Sequence, residues 1–114
     1  MQYKCLNINN FTHGQFSIKP LEYNNRLDIM KWRNEQIYHL RQDKPLTEKD
    51  QNNYFNTVVY SLFEQEKPKQ LLFGYFNGKK LIGYGGLVHI DWNHKRAEIS
   101  FIMKTSLEDL EFAL

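Results

Sequence analysis

Glu98 lies in the run Ala97-Glu98-Ile99-Ser100-Phe101-Ile102-Met103, where Ala97, Ile99, Phe101 and Met103 occupy alternate positions and define the opposite face of a predicted strand. A carboxylate so placed can accept a proton from a reacting group, directly or through a water. Its bland alternative is a solvent-facing acid paired with Arg96 or a lysine. Trp32-Arg33-Asn34 is a second candidate cluster. Asn34 follows Met30 by four residues and precedes Ile37 by three, so it interrupts an apolar helical stripe, and a polar group there needs a partner. That partner is either a substrate or a neighbouring backbone group. Arg33 is read as a substrate contact, and Trp32 as either core or a platform for a ligand.

His89 precedes a turn and could serve as a base or substrate contact, or be a structural strand histidine. Tyr84 either lines a pocket or packs within the sheet. His13, His39, His89 and His94 lack metal-ligand spacing, and with one cysteine the sequence predicts no metal site. Cys5 has no nucleophile context. Gly83, Gly85 and Gly86 could suggest a phosphate cradle, but such a loop leaves a strand and opens a helix. These glycines fall inside a segment that continues as strand through Leu87 to Ile90. They read instead as a bulge or a close approach that leaves room for a substrate.

The elements that must position these groups follow from periodicity. Phe16 to Leu21 alternates and reads as a strand, with Pro20 suited to its end. Asn25 with Asp28 predicts a capped helix carrying Leu27, Met30, Ile37 and Leu40 and ending near Leu40, before Asp43-Lys44-Pro45. Thr47 with Asp50 predicts a second cap, and Tyr54, Phe55, Val58, Val59, Leu62 and Phe63 form one helical face that stops before Pro68. The period then changes to two. Leu71 to Phe76 and Lys80 to Ile90 flank Asn77-Gly78, which predicts a two-residue type I′ hairpin. A connection from Asp91 to Lys95 leads into the strand bearing Glu98. The expected fold class is α/β (α+β): strand, helix, helix, then a three-stranded antiparallel meander.

With 114 residues the chain is one small domain, expected to bury roughly 65% of its unfolded surface. The predicted core spans about residues 15–105, with 1–14 and 106–114 as flanking segments, and there is no internal repeat or linker. A net charge of +2, with Lys and Arg scattered among acids, predicts no nucleic-acid partner. A lone cysteine and the absence of a secretion signal or an apolar stretch near ~20 residues predict a cytoplasmic protein without a membrane partner.

The ordered set Trp32-Arg33-Asn34, Leu46-Thr47 with Gln51 and Tyr54-Phe55, Ile82-Gly83-Tyr84-Gly85-Gly86 and Ala97-Glu98-Ile99-Ser100-Phe101 resembles the N-terminal half of the GNAT superfamily of N-acetyltransferases. Within it, the chain is similar to the branch that acetylates protein N-termini and amino sugars of surface polysaccharides. The polysaccharide subgroup is the nearer, through Tyr84-Gly85-Gly86-Leu87-Val88-His89 and Glu98-Ile99-Ser100-Phe101. The resemblance covers about residues 15–105 and only the front part of the family's fold.

The resemblance implies acetyl-CoA as co-substrate, with the pantetheine arm paired to the backbone of Phe101, Ile102 and Met103. It implies direct transfer to a primary amine of an amino sugar or sugar nucleotide, Glu98 assisting deprotonation and Trp32, Arg33, Asn34, Tyr84 and His89 around the substrate. The family's next element is a glycine loop opening a helix, whose N–H groups hold the pyrophosphate. Here Lys104 to Leu114 contains no glycine, and although Ser106 with Asp109 could cap a short helix, acids in its first turn would repel that group. The chain is therefore expected to be truncated and inactive alone. A different class of reading is a non-catalytic half-fold that self-associates as a homo-oligomer through an unpaired strand edge. A carbohydrate-binding module would rest on Trp92 alone.

Overall fold

The computed structural model describes residues 2–40 and 42–105. Five strands, β1 (Phe11–His13), β2 (Phe16–Pro20), β3 (Leu71–Asn77), β4 (Lys80–Asp91) and β5 (Arg96–Met103), form one antiparallel sheet in sequential order. The helices are α1 (Arg26–Glu35), α2 (Glu48–Tyr54) and α3 (Tyr60–Glu64). The β3-β4-β5 meander matches the alternating pattern of its sequence.

The hairpin turn differs from the expected one by a residue. Asn77 pairs with Lys80, so the turn is Gly78-Lys79. Gly78 has φ 62° whereas Lys79 does not take a positive φ, the pattern of a type II′ rather than a type I′ turn. The Gly78 N–H also donates to the Gln15 carbonyl at 2.8 Å, tying this turn to the one between β1 and β2.

The first helix is shorter than periodicity predicts. Asn25 does not cap it; the Asn25 side chain accepts the Glu22 N–H at 2.9 Å and closes a single 3-10 turn, Tyr23–Asn25, one step earlier. At the other end the chain leaves the helix at Gln36, which is fully buried and donates to the Met103 carbonyl at 2.8 Å. A tertiary hydrogen bond to β5 thus sits where Ile37 and Leu40 would have continued the helix, and a second 3-10 turn, Ile37–His39, follows. The second cap forms as expected: Asp50 N–H donates to the Thr47 hydroxyl, and Thr47 N–H to the Asp50 carboxylate, each at 3.1 Å. The long helical face is not uniform, because a π-helical stretch, Phe55–Val59, links α2 to α3. Such a stretch shifts the side-chain phase, and it lets Phe55, Val59, Leu62 and Phe63 all be buried while Tyr54 and Val58 turn toward a cavity.

The core lies between the helices and one face of the sheet, with Leu21, Ile29, Trp32, Phe55, Val59, Leu72 and Ile102 buried. Residues 1–14 are not wholly outside it, as the sequence had suggested. Tyr3 is 1% exposed, and its hydroxyl both donates to the Leu72 carbonyl and accepts the Leu72 N–H at 2.7 Å. Burial raises the Tyr3 hydroxyl pKa far above the usual tyrosine range. β1 adds an edge strand that three residues of sequence did not announce.

β5 is the opposite edge. Lys104 N–H donates to the Ile82 carbonyl at 2.8 Å, so the two-residue alternation of an antiparallel ladder turns the Ile102 backbone toward Tyr84 and that of Phe101 and Met103 toward the open edge. Ile99 and Phe101 share the far face of the sheet and are 79% and 51% exposed. Among the described residues, no helix is long and apolar enough to cross a membrane.

Candidate functional site

Between α1, the α2-to-π segment and the sheet lies a cavity of about 520 Å³. Its floor is β3, β4 and β5, through Leu72, Tyr84, Gly85, Val88, Ser100 and Ile102. The register explains why these side chains converge: Tyr84 pairs with Ile102, and Gly86 with both Leu72 and Ser100, so these positions share one face. Gly85 and Gly86 have φ 159° and 148°. A Cβ on Gly85 would overlap the Ser100 carbonyl, and one on Gly86 the Leu71 carbonyl. The glycines therefore serve close strand approach inside the sheet, and they do not form a phosphate loop.

Arg33 reaches into this cavity from α1. Its Nη1 donates to the Tyr84 hydroxyl at 2.8 Å and its Nε to Gln42 Oε1 at 3.2 Å. Desolvation raises the Tyr84 pKa, and the Arg33 guanidinium opposes the shift. Desolvation likewise raises that of Tyr54, on the same cavity. Both hydroxyls thus remain protonated at neutral pH and can donate hydrogen bonds. Asp50 also borders the cavity, its carboxyl held below the ordinary range by the Thr47 N–H and hydroxyl. A fixed cation, two neutral phenols and a carboxylate can orient a small polar molecule over an apolar floor.

The other candidates occupy different places. Asn34 has a structural partner set: its amide donates to the Leu46 carbonyl at 2.9 Å, and its oxygen accepts from Leu46 N–H at 2.7 Å and Gln42 at 3.0 Å. It pins the loop that leads into α2. Trp32 is a core residue, 6% exposed, and borders a second cavity on the other flank of α1. Glu98 is solvent-facing, with His89 Nε2 4.0 Å from its carboxylate. Arg96 instead approaches Asp91, at 3.9 Å. Glu98 pairs in register with Val88, which borders the first cavity, so the carboxylate shares the cavity's face of the sheet but lies beyond its rim. His89 takes φ 50° where the β4–β5 ladder breaks between Val88 and Asp91. That bulge is what turns His89 toward Glu98.

Of the three backbone positions Phe101, Ile102 and Met103, the first and third present groups to the open edge. The Met103 carbonyl is already engaged by Gln36. The sequence reading missed Tyr54, Asp50 and Gln42. Tyr54 carried a signal, since it sits at the flank of the apolar stripe where a polar tip reaches solvent or a cavity; Gln42 carried none. Among the described residues, no group of three His, Cys, Asp or Glu side chains is arranged to hold a metal.

Residues 18–111 match the acetyltransferase (GNAT) domain family. No curated protein matches the sequence. Among solved structures, a spermidine N-acetyltransferase SpeG chimera from Vibrio cholerae and hSSAT superposes with a TM-score of 0.68 at 19% identity, covering 88% of this chain and 57% of that one. A point mutant of the Vibrio cholerae SpeG spermidine N-acetyltransferase gives a TM-score of 0.66 at 19% identity, covering 87% and 56%. The chain thus spans a little over half the length of these neighbours, and at this identity the likeness is one of fold. With the family match covering most of the sequence and the mixed α/β sheet superposing on acetyltransferases of that fold, the chain belongs to the GNAT acetyltransferase family.

Proposed function

We propose that this protein transfers an acetyl group from acetyl-CoA to a primary amine borne by an amino sugar or sugar nucleotide. The observation that carries this reading is the cavity beside β5, in which the Arg33 guanidinium and the Tyr84 hydroxyl are held together above Ser100 and Ile102. GNAT acetyltransferases use acetyl-CoA, and the open edge of β5 fits its pantetheine amides: the Phe101 backbone is turned outward, with Met103 beside it. Acetyl-CoA, when bound, supplies the thioester carbonyl. The acceptor nitrogen forms the new amide bond, the carbon–sulfur bond breaks, a base takes the proton lost by nitrogen, and the leaving thiolate takes up a proton.

Glu98 is assigned the base role, acting through a water, with His89 Nε2 4.0 Å from its carboxylate. Tyr84 and Tyr54, kept protonated by burial, are placed to donate to polar groups of the acceptor or the leaving sulfur. Arg33 favours an acceptor with oxygen acceptors close to its amine, as the sugar of a sugar nucleotide has. A polyamine, the substrate class named for the neighbouring structures, offers no such group and would meet the guanidinium unfavourably.

The decisive experiment follows thiol release with an amino-sugar nucleotide, the free amino sugar and spermidine as parallel acceptors. Faster turnover of spermidine would overturn the acceptor assignment. For the base, Glu98→Gln should lower kcat by about 10²-fold or more and flatten the acidic limb of the pH profile. Unchanged activity across pH removes Glu98 from the mechanism.

A second reading is favoured by the exposure of Ile99 and Phe101 on β5, which is the edge strand of the sheet among the described residues: a module that self-associates. Light scattering at high concentration tests it, and a monodisperse monomer would count against it.

A further inference from the structure

On the flank of α1 away from Arg33, a cavity of about 640 Å³ is bordered by five lysines drawn from four separate parts of the chain. Lys19 comes from β2, Lys31 from α1, Lys79 and Lys80 from the β3–β4 turn and the start of β4, and Lys104 from the residue after β5. The lining contains two carboxylates, Glu22 and Asp28. Among the described residues the ion pairs are His89 with Glu98, His94 with Asp91 and Arg96 with Asp91, so none of the five lysines lies within 4.0 Å of an acid. The base of the cavity is apolar, with Trp32, Phe76, Leu81 and Pro20.

Scattered surface lysines avoid one another, because like charges in proximity cost free energy and long side chains are free to diverge. These do not diverge. Lys80 and Lys31 lower the Lys104 pKa, with Asp28 opposing the shift. Lys104 is fixed at its root by its N–H bond to the Ile82 carbonyl, 2.8 Å. Lys19 is fixed by lying over the Phe76 ring, 5.4 Å from the centroid. The β3–β4 ladder shifts register between Tyr75 and Phe76, so the pairing passes from Gly83 to Leu81 and Ile82 is the extra residue at the cavity's edge. Convergence of ammonium groups on a concave, apolar-based site is what a ligand with several negative charges requires.

We infer that this cavity is a binding site for a diphosphate-bearing ligand, with Lys80 and Lys104 as its central contacts and Lys19, Lys31 and Lys79 around them. The inference goes beyond acetyl transfer and does not depend on it. Two sources share the chemistry: the phosphates of CoA and the diphosphate of a nucleotide-linked acceptor.

The test is calorimetric titration of the 114-residue protein with inorganic pyrophosphate, CoA, an amino-sugar nucleotide and pantetheine, for the wild type and for the Lys80→Ala/Lys104→Ala double variant. Lys80 is exposed and Lys104 half-buried at the surface, and circular dichroism melting confirms that the variant folds. Pyrophosphate should bind the wild type, weaken as salt is raised, and lose at least about tenfold in affinity in the variant. A parallel loss for CoA, with pantetheine unchanged, identifies CoA as the source; a parallel loss for the nucleotide sugar alone identifies the acceptor. Absence of pyrophosphate binding, or equal binding by the folded variant, overturns the site. Acetyl transfer failing while pyrophosphate binding persists would remove the proposed enzyme activity and leave the anion site standing.

Discussion

On one flank of α1, Ile29 and Arg33 look into a cavity floored by Leu72, Tyr84 and Ile102; on the other, Asp28, Lys31 and Trp32 border a cavity rimmed by Lys19, Lys80 and Lys104. The two spaces are similar in size and share a helix, yet they hold charge differently. Arg33 is locked by named partners, Tyr84 and Gln42, and its guanidinium has a fixed direction. The lysines have no carboxylate partner within ion-pair distance among the described residues, and two of them press on each other. A fixed fork suits the orientation of one group on a small acceptor, whereas a loose set of ammonium groups suits a diffuse, multiply charged one. Geometry of that kind separates chemistry on one side of the helix from anchoring on the other.

The sharpest way to break the comparison is to remove the floor of the first cavity. Gly85→Ala places a Cβ against the Ser100 carbonyl and the Phe101 backbone, neither of which can move without opening the β4–β5 ladder. A loss of about 3 kcal/mol or more in urea-unfolding stability is expected. If Gly85→Ala were as stable as wild type, the close packing of β4 against β5 would be mis-stated.

Arg33→Ala comes next. It strips the Tyr84 hydroxyl of its donor and should lower kcat/KM for an anionic acceptor by about 10- to 100-fold, equivalent to about 1.4–2.8 kcal/mol. Pyrophosphate affinity at the opposite flank should stay unchanged, which separates the two cavities. Equal losses in both assays would mean that α1 itself had shifted.

The smallest effect is in pH. Lys104 has a lowered pKa, set by Lys80 and Lys31 against the opposing Asp28, so on raising pH it gives up its charge before an ordinary lysine does, and affinity for a diphosphate diester, whose own charge is constant there, should fall a few-fold as pH rises below the lysine range near 10.4. Tyr54 and Tyr84 have raised pKa values and keep their protons over that interval. Binding that depends on their hydroxyls should be flat there. Titrating both ligands between pH 7 and 10, about the span of these groups, reads out the contrast.

Much of the architecture was legible before folding. Thr47 and Asp50 are three residues apart, and their mutual hydrogen bonds depend only on local geometry. The β3-β4-β5 meander follows from alternation and short connections. What failed did so for one local reason and one tertiary reason. Asn25 carries the right chemistry for a cap, but the chain before it offered the Glu22 N–H first. Tyr3 lies in a segment with no periodicity, and only closure over 69 residues shows that it completes the pairing of Leu72.

The candidate site divides in the same way. Arg33 reads from sequence as a substrate contact and Tyr84 as either pocket lining or sheet packing, whereas Asn34, in the same three-residue motif as Arg33, has partners that are all backbone or Gln42. A polar residue that interrupts an apolar stripe announces that it has a partner; it does not say whether the partner is a ligand. Glu98 was legible as the outward acid of β5, whereas its neighbour His89 reached it only through a break in the ladder.

By itself the sequence determined those features whose energies are settled within a few residues: the capped start of α2, the strands of the meander and the glycines inside β4. It also carried the ordered motifs of the GNAT family. Tertiary structure decided which groups meet, because contacts such as Arg33 with Tyr84, 51 residues apart, form only when loop closure is offset by burial of the core between them. The five lysines are the plainest case. Along the chain they are dispersed among acids and read as nothing; the sheet and α1 gather them at one cavity, and their charge becomes a property of the fold.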